Sequence, residues 1–514
     1  MSWRNFLTSA PRTRGTSFVV LPWATRSYSL RSRKIQIIVH EHHQALEKDR
    51  DLILKVMGTL PSPREARQFL DRFSSPSIAT ATDPFVDKLL WPTDHLALIK
   101  LQGPFDSENL AAIAKTLVQL QRLGLMSVIL LDNQTWWQNQ GMLSSGLHDS
   151  EAEEQTAETK RRMTTDMMDI VEGIESSGGK ACPVFEGVFE HMHHPPLYST
   201  DRIVAQAAIE EISVHPGLEP IRSCLRLNQI PVMIPMATTA QCHRTPVQSN
   251  KAIVALAKYM GQTATDKNAA SRTASGAGHG PLVPMRLIVI NTTGGIPLTR
   301  ANGIQGPTHC FVNIKDEYYT IIDDLDNMNH LPKQLAQSYR SDLDMIRESL
   351  EHLPPTCSGL ITSSPSLTLI TNLITDKPLF SSTMRGQDPK VMLATTVLRS
   401  GLDIFAFRGN LGGLDLKRLQ GLLESSFGKP LDAEGFFTRI QDRTRTVVLA
   451  GQDYMGAAIV TREGGDVWGQ GVEQRTLASV AYLDKFSIAP KSQGIGVADI
   501  LWKKLTDEFP DLVF

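Results

Sequence analysis

Cysteine, long apolar runs and excess charge of one sign are all scarce in this chain of 514 residues. Its five cysteines are too few for a disulfide framework, and none forms a Cys-x-x-Cys pair, which argues against a zinc knuckle. No apolar run approaches the ~18 residues that span a bilayer. The net charge of −2 gives no general reason to expect a nucleic acid or an acidic membrane as a partner. The composition is that of a soluble globular protein, and the length predicts roughly two to four domains.

Acidic residues are missing from the N-terminal segment, where the first one is Glu41. Residues 1–34 are instead rich in Arg, Ser and Thr, which is typical of a mitochondrial transit peptide. Residues 26–29, Arg-Ser-Tyr-Ser, resemble a matrix-protease site and place the predicted cleavage after Tyr28. We therefore predict a transit peptide at 1–34, a helical extension at 35–84 and a location in the mitochondrial matrix. The alternative is a disordered basic tail with no targeting role.

The stretch from 95 to 132 has the pattern of a βαβ unit. Apolar runs at 95–101 and 126–132 flank an amphipathic helix at 106–124, with Ser107 as the candidate N-cap. Short links between such elements indicate a parallel sheet. The pattern predicts further strands at 285–291, 310–314, 318–323 and 358–363, and a helix at 341–353. Residues 85–385 are therefore predicted to form one open α/β domain.

Polar segments interrupt this domain at 145–162 and 261–281, and we expect the second to be a low-complexity loop. Six of the fourteen histidines cluster at 40–43 and 191–194. A solvated helix start and a surface turn containing Pro195 and Pro196 explain these clusters more simply than ligand sets do, so we predict no metal.

A second domain is predicted at 390–514. Its elements are a helix at 415–428, a hairpin formed by 444–450 and 454–461, a strand at 480–489 and a closing helix. Between the last strand and the last helix lies a turn, Gln493-Gly494-Ile495-Gly496-Val497-Ala498. Its small residues allow close approach of the backbone, and the unpaired N–H groups of the helix N-terminus suit a phosphate. The turn fits Q/R-x-x-G-x-G/A and, with the order of elements, resembles the GNAT acetyltransferases that bind acetyl-CoA.

Histidine and cysteine are absent after His352 and Cys357, so the second domain has neither a His base nor a Cys nucleophile. Acyl transfer here would need direct attack by an amine on a bound thioester. Backbone N–H groups on the strand at 486–488 would polarise the thioester carbonyl. A carboxylate, a tyrosine or a water chain would take the proton of the amine, so the catalytic base stays unassigned.

Several segments together resemble the N-acetylglutamate synthases, the amino-acid acetyltransferases that open arginine biosynthesis, and in particular the fungal mitochondrial enzymes. They are "YLDKF" at 482–486, "SQGIGVAD" at 492–499, "HLALIKLQGPF" at 95–105, "NTTGGIPLTR" at 291–300 and "LITNLITDKPLFSS" at 369–382. The resemblance implies an amino-acid-kinase-like regulatory domain followed by a GNAT domain. It also implies acetyl-CoA as co-substrate without any other cofactor, L-glutamate as acceptor and a homo-oligomer. Arginine as an inhibitor and acetylglutamate kinase as a partner are further implications.

The same resemblance assigns roles to individual residues. Lys485 would bind a carboxylate of glutamate, with Lys429 as a second ligand. The backbone of one strand segment would face the acetyl-pantetheine arm, and the turn would hold the pyrophosphate; these residues are Phe486, Ser487 and Ile488, then Gln493, Gly494, Ile495, Gly496, Val497 and Ala498. The alternative for Lys485 is a charge at a strand edge that limits aggregation.

The sequence also departs from the family pattern in three places. A bulky pair, Leu101 and Gln102, separates Lys100 from Gly103, so we predict no kinase activity. The segment "SSTM" at 381–384 differs from the family's, so no arginine ligands are assigned. "PDLVF" at 510–514 reads as the start of the next strand, so we expect a GNAT domain that is incomplete at its C-terminus.

The sequence leaves two alternatives to an N-acetylglutamate synthase. One is a GNAT enzyme that acts on another amine. The other is a non-catalytic regulatory protein that binds arginine or a partner kinase through the first domain.

Overall fold

The computed structural model describes residues 96–137, 149–192, 211–265, 282–299, 305–328, 331–363, 395–409, 411–463, 480–493 and 496–513. The predicted transit peptide, the helical extension, the histidines at 40–43 and 193–194, the segment 369–384 and turn residues Gly494 and Ile495 lie outside the described residues.

Eighteen strands are described. In chain order they are β1 Leu96–Gly103, β2 Met126–Asn133, β3 Ala181–Val184, β4 Phe189–Met192, β5 Glu211–Val214, β6 Ile230–Met233, β7 Met236–Thr238, β8 Arg244–Pro246, β9 Pro284–Asn291, β10 Pro297–Thr299, β11 Gln305–Thr308, β12 Phe311–Asn313, β13 Ser358–Ser363, β14 Thr395–Arg399, β15 Ile404–Arg408, β16 Thr444–Ala450, β17 Gly456–Glu463 and β18 Val480–Ile488.

Nine α-helices accompany these strands in the described residues. They are α1 Ser107–Arg122, α2 Asp149–Ser176, α3 Glu219–Arg226, α4 Ser249–Thr265, α5 Ile314–Asn327, α6 Lys333–His352, α7 Leu416–Phe427, α8 Ala433–Gln441 and α9 Val497–Glu508. None of these helices is long and apolar enough to cross a bilayer.

The first domain is built on an eight-stranded sheet with the order β12-β14-β13-β9-β1-β2-β6-β3. The strands from β13 to β3 pair in parallel, whereas β14 runs antiparallel to β13, with β12 parallel to β14. β1, β2 and β9 are buried almost throughout, as expected for strands covered on both faces by helices. A smaller sheet, β5-β4-β7-β8, and the β10-β11 pair extend this domain. The predicted α/β fold class is confirmed.

The second domain contains an antiparallel sheet with the order β15-β16-β17-β18. Helices α7 and α8 pack on one face through Leu419, Leu423 and Ile440. Helix α9 packs on the other face through Val497, Leu501 and Leu505. The predicted strand at 444–450 and the hairpin that follows it are confirmed.

Some predictions about local structure are wrong. Residues 318–323, expected as a strand, lie in α5, whose buried Ile314, Ile321, Ile322 and Leu325 have helical spacing. The N-cap of α1 is Asp106, whose carboxylate accepts from the N–H of Asn109, and not Ser107. The loop predicted to begin at 261 is helical as far as Thr265, and the expected helix at 341–353 begins earlier, at Lys333.

The strand β14 lies in the part of the chain predicted to begin the second domain, but it pairs with β12 and β13 of the first sheet. The chain passes from one sheet to the other only at residues 400–403, and not near residue 390. This matters for the site, because the C-terminal end of β14 lies next to α9.

Candidate active site

The strand β18 carries a bulge in its middle. Lys485 pairs with Ile459 and Leu483 pairs with Val460, so Asp484 is an extra residue in β18. Its buried carboxylate bonds Arg439 Nη2 at 2.8 Å and Lys485 Nζ at 3.1 Å. Bulges bend a strand and turn its edge, and they occur often beside active sites.

Beyond the bulge, the outer edge of β18 is open within the described residues. Before the bulge, this edge is paired: the N–H of Leu483 donates to Val513 O (2.8 Å), and the N–H of Val513 donates to Ala481 O (2.9 Å). Val513 thus begins strand-like pairing next to Tyr482, as predicted for "PDLVF". Val513 is the last described residue, and after Leu483 the outer edge of β18 has no strand partner among the described residues.

The backbone of Phe486 and Ile488 faces this open edge. The N–H of Ile488 donates to the hydroxyl of Ser426 on α7 (3.3 Å), away from β17. Because directions alternate along a strand, Phe486 faces the same way. Ser487 faces β17 instead: it pairs with Ala457, and its buried hydroxyl lies 3.4 Å from Ala457 O. Phe486 and Ile488 therefore face the open edge with their backbone, as a role in binding the pantetheine arm requires, and Ser487 does not.

The glycine turn follows β18 directly. A 3₁₀ turn at Pro490–Ser492 leads to the exposed Gln493, and Gly496 caps α9 with a φ of 83°, in the left-handed region. The first N–H groups of α9 have no intrahelical acceptor, so this end of the helix suits an anion. Gly456 allows α9 to approach β17, because a Cβ there would lie 2.9 Å from Val497 Cγ1.

The two predicted glutamate ligands differ in their surroundings. Lys485 is partly buried, and its ammonium lies 5.5 Å from the ring centroid of Phe436 and 3.0 Å from Asp484 O. Lys429 is exposed in the turn between α7 and α8, and the described contacts do not join it to Lys485.

Several residues of this site carry no signal in the sequence. The positions of Asp484, Arg439 and Ser426 depend on pairing between α7, α8 and β18, which are distant in the chain. The bulge is visible only from the pairing of β18 with β17, and no local pattern in the sequence reveals it.

Helix α9 also contacts the first domain. Lys503 Nζ donates to Phe311 O (2.7 Å) and to the carboxylate of Glu317. Burial and the charge of Lys503 lower the pKa of His309 to about 4, so this imidazole is neutral at pH 7. The amide of Asn313 bonds both the N–H and the carbonyl of Leu402, at 3.3 and 3.1 Å, which fixes the link between the sheets.

On β1, an interior strand of the first sheet, Lys100 forms a buried ion triad. Its ammonium lies 2.7 Å from Asp342 Oδ1 and 2.9 Å from Asp132 Oδ2. Burial alone would lower the pKa of Lys100, but the two carboxylates outweigh it and raise that pKa. A cavity of about 110 Å³ beside the triad is lined by Asp132, Asp166 and Asp169 and by no Lys or Arg. This charge pattern disfavours a nucleotide phosphate, and the absence of kinase activity stays a prediction.

No group of three or more His, Cys, Asp or Glu side chains suited to a metal ion occurs within the described ranges. Of the histidines at 191–194, the described His191 bonds Thr245 Oγ1 at 2.7 Å.

A strand that opens after a bulge, then a glycine turn and a helix that presents its N-terminus, define the class of N-acetyltransferases. The family model described as "NAT, N-acetyltransferase, of N-acetylglutamate synthase" matches residues 404–514. The mitochondrial amino-acid acetyltransferase of Coprinopsis cinerea is 31% identical over 506 residues, which cover 90% of this chain and 76% of that protein. The protein of the same name from Laccaria bicolor is 31% identical over 510 residues, covering 90% and 82%. The chain belongs to the family of mitochondrial amino-acid acetyltransferases.

Among solved structures, N-acetylglutamate synthase from Neisseria gonorrhoeae, complexed with coenzyme A and N-acetyl-glutamate, is similar with a TM-score of 0.46 and 13% identity. That similarity covers 83% of this chain and 87% of the other.

Proposed function

We propose that this protein is an N-acetylglutamate synthase, which transfers the acetyl group of acetyl-CoA to the amine of L-glutamate. The observation that carries the proposal is the open edge of β18 between the bulge at Asp484 and the glycine turn. It offers backbone N–H groups to a thioester at one end and an anion site at the other. The family membership supports the amino acid as acceptor.

In the proposed donor complex, the pyrophosphate lies at the N-terminus of α9 and the pantetheine arm follows β18. The N–H of Phe486 faces the open edge and would donate to the thioester oxygen as negative charge develops there. The N–H of Ile488 already has a partner in Ser426, so pantetheine would replace or share that bond. Gln493 and residues 494–498 would surround the pyrophosphate.

The proposed reaction has no covalent enzyme intermediate, because residues 404–514 contain no His and no Cys. The neutral amine of glutamate attacks the thioester carbon, a C–N bond forms, and the C–S bond breaks. The amine loses a proton, and the CoA thiolate takes one up on release. The base stays unassigned among a carboxylate, a tyrosine and water.

Lys485 is proposed to bind a carboxylate of glutamate at this edge. Its ammonium now lies between Asp484 and the ring of Phe436, and a bound carboxylate would compete with Asp484 for it. Arg439 also bonds Asp484, so that carboxylate would keep a partner when Lys485 turns to the substrate. Lys429 is proposed as a weaker second ligand, since it is exposed.

The test is steady-state kinetics of Lys485→Gln with L-glutamate as the varied substrate. We expect KM for glutamate to rise at least ~10-fold while KM for acetyl-CoA changes by less than ~2-fold, the loss expected for one charge-assisted contact. Lys417→Gln, an exposed lysine on α7, is the matched control. Equal rates with glutamate, aspartate and an unrelated amine would point to a different GNAT activity. Binding of arginine or a partner kinase without any turnover would favour the regulatory alternative.

We further propose a mitochondrial matrix enzyme of arginine biosynthesis, with a transit peptide at 1–34, arginine as inhibitor, a homo-oligomeric state and acetylglutamate kinase as partner. The relatives named mitochondrial and the basic, acid-free N-terminus support the location. A fluorescent protein fused to residues 1–40 should enter mitochondria, and diffuse cytosolic signal would refute the targeting. Size-exclusion chromatography with light scattering, and assays with added arginine or kinase, test the other statements.

A further inference from the structure

A buried arginine from the first sheet lies against the glycine turn of the second domain. Arg399 is the last residue of β14, and its side chain is only 4% exposed. A Cβ placed on Gly496 would lie 3.5 Å from Arg399 Nε and 3.8 Å from Arg399 Cγ. The guanidinium therefore adjoins the residue that caps α9, although it comes from the other domain.

Strand pairing fixes the backbone of Arg399 on both sides, and a hydrogen bond holds its side chain. Arg399 pairs with Ser358 of β13 on one side and with Asn313 of β12 on the other. Its Nη1 donates to Thr356 O at 3.1 Å. A charge held in this way loses little conformational freedom when a ligand binds, so its attraction for an anion is not offset by ordering.

The turn itself is poor in positive charge. None of the six residues Gln493 to Ala498 is Lys or Arg, and an acid, Asp499, follows in the first turn of α9. Lys491 precedes the turn but is exposed, so solvent screens it. The helix N-terminus contributes only about half a unit charge. A diphosphate with two negative charges would therefore gain much from one more cation in a poorly hydrated position.

We propose that Arg399 is an electrostatic determinant of acetyl-CoA binding, which supplies a full positive charge from the first domain to the pyrophosphate site at the turn. This inference depends on the proposed function for the identity of the ligand. Since the arginine is buried beneath the turn, it acts through its field and holds the donor in place. The affinity for acetyl-CoA would therefore depend on Arg399 of the first domain as well as on the turn of the second.

The experiment is calorimetric titration of the full chain with CoA and with dephospho-CoA, which keeps the pyrophosphate but lacks the 3′-phosphate. For Arg399→Gln we expect Kd to rise about 10-fold for both ligands, which is about 1.4 kcal/mol. Arg399→Lys keeps the charge and should stay within about 3-fold of the native Kd.

Arg286→Gln is the matched control. Arg286 is also buried, at 5% exposure, and it pairs with Ser358 from the opposite side, roughly 10 Å from Arg399 across two strand spacings. We expect its loss to leave the affinity for CoA unchanged. Thermal unfolding of each variant shows whether it folds.

The outcomes separate the two proposals. A native protein that binds neither ligand refutes the proposed function. If the native protein binds both ligands and Arg399→Gln binds them with the same Kd, only the inference is refuted. An effect seen with CoA but not with dephospho-CoA, or an equal loss in Arg286→Gln, also refutes it. If Arg399→Gln does not fold, a loss of 10-fold or more in a folded Arg399→Lys contradicts a role for the charge.

Discussion

Replacing Lys100 by Met should destabilise the first domain strongly without affecting the donor site. The ammonium of Lys100 neutralises two carboxylates, and Asp342 is only 1% exposed. Its Oδ2 has no hydrogen-bond partner among the described residues, so the lysine is its main compensation. Removing one member of a buried ion pair costs about 3–5 kcal/mol because the remaining charge is left unpaired. That is a large part of the about 5–15 kcal/mol that stabilises a typical protein.

The pH dependence of this loss is a second consequence. Burial raises the pKa of Asp342, and the charge of Lys100 opposes that rise. In the Met variant the opposing charge is gone, so the folded-state pKa of Asp342 moves further above its unfolded value. A raised carboxylate pKa stabilises the fold as pH falls, because the folded state takes up the proton first. The difference from the native protein should therefore shrink between pH 7 and pH 5.

The assay is equilibrium unfolding in guanidinium, together with hydrogen exchange of peptides from β1 and α6. Lys115→Met, an exposed lysine on α1, is the control and should change the free energy of unfolding by less than about 0.5 kcal/mol. Adding Asp342→Asn to Lys100→Met should recover part of the loss. Equal stability of the two Met variants, or a loss that does not depend on pH, would refute the reasoning. The affinity for CoA should remain native, since the triad lies on β1, three strand positions from β14, whose last residue adjoins Gly496 of the turn.

Two further predictions concern the contacts of α9. His309 has a pKa of about 4 against an ordinary value of about 6.5, so the native protein should lose up to about 3 kcal/mol as pH falls from 6.5 to 4. Denaturant midpoints across this range should show the loss, and His309→Gln should reduce it; an unchanged slope would contradict the assignment. In Gly456→Val the new Cβ would lie 2.8 Å from Leu501 Cδ1 and 2.9 Å from Val497 Cγ1, which should cost about 1–3 kcal/mol and weaken CoA binding. Gly421→Ala, on an open face of α7, is the control and should stabilise by about 0.5–1 kcal/mol, so equal effects in both variants would contradict a packing role.

The sequence predicts best where burial alone decides the structure. The strands at 358–363 and 444–450 are short runs rich in apolar and β-branched residues, and the structure places both within those bounds. The turn and α9 are also predictable, because a glycine in the left-handed region has a clear signal. The candidate donor site follows from this local pattern.

The sequence fails where the decisive partner is distant in the chain. Residues 318–323 have the tyrosine and isoleucine content of a strand, but Ile321, Ile322 and Leu325 pack as one helical face in the core of the first domain. β14 looks like the start of the second domain, since nothing local shows that it pairs with β12 and β13. The contact between Arg399 and Gly496 joins residues almost a hundred positions apart, so no local pattern could reveal it.

The energetics of the contact between the sheets decide which residues hold α9 in place. Lys504 with Asp316, and Lys315 with Asp403, are exposed ion pairs, worth at most about 1 kcal/mol each. Lys503 is different, because its withdrawal would leave Phe311 O without its donor at a partly buried position.

Asn313 adds a second such contact. It is 2% exposed, and it would lose two bonds to Leu402 if the domains separated. An unsatisfied buried polar group costs about 1–3 kcal/mol, so separation would cost several kcal/mol before any apolar contact is counted. The helix whose N-terminus forms the anion site is therefore fixed to the first sheet by Lys503, and Asn313 fixes the link at Leu402 that leads into the second domain. A ligand that binds this N-terminus must stabilise the contact between the domains as well as the second domain itself.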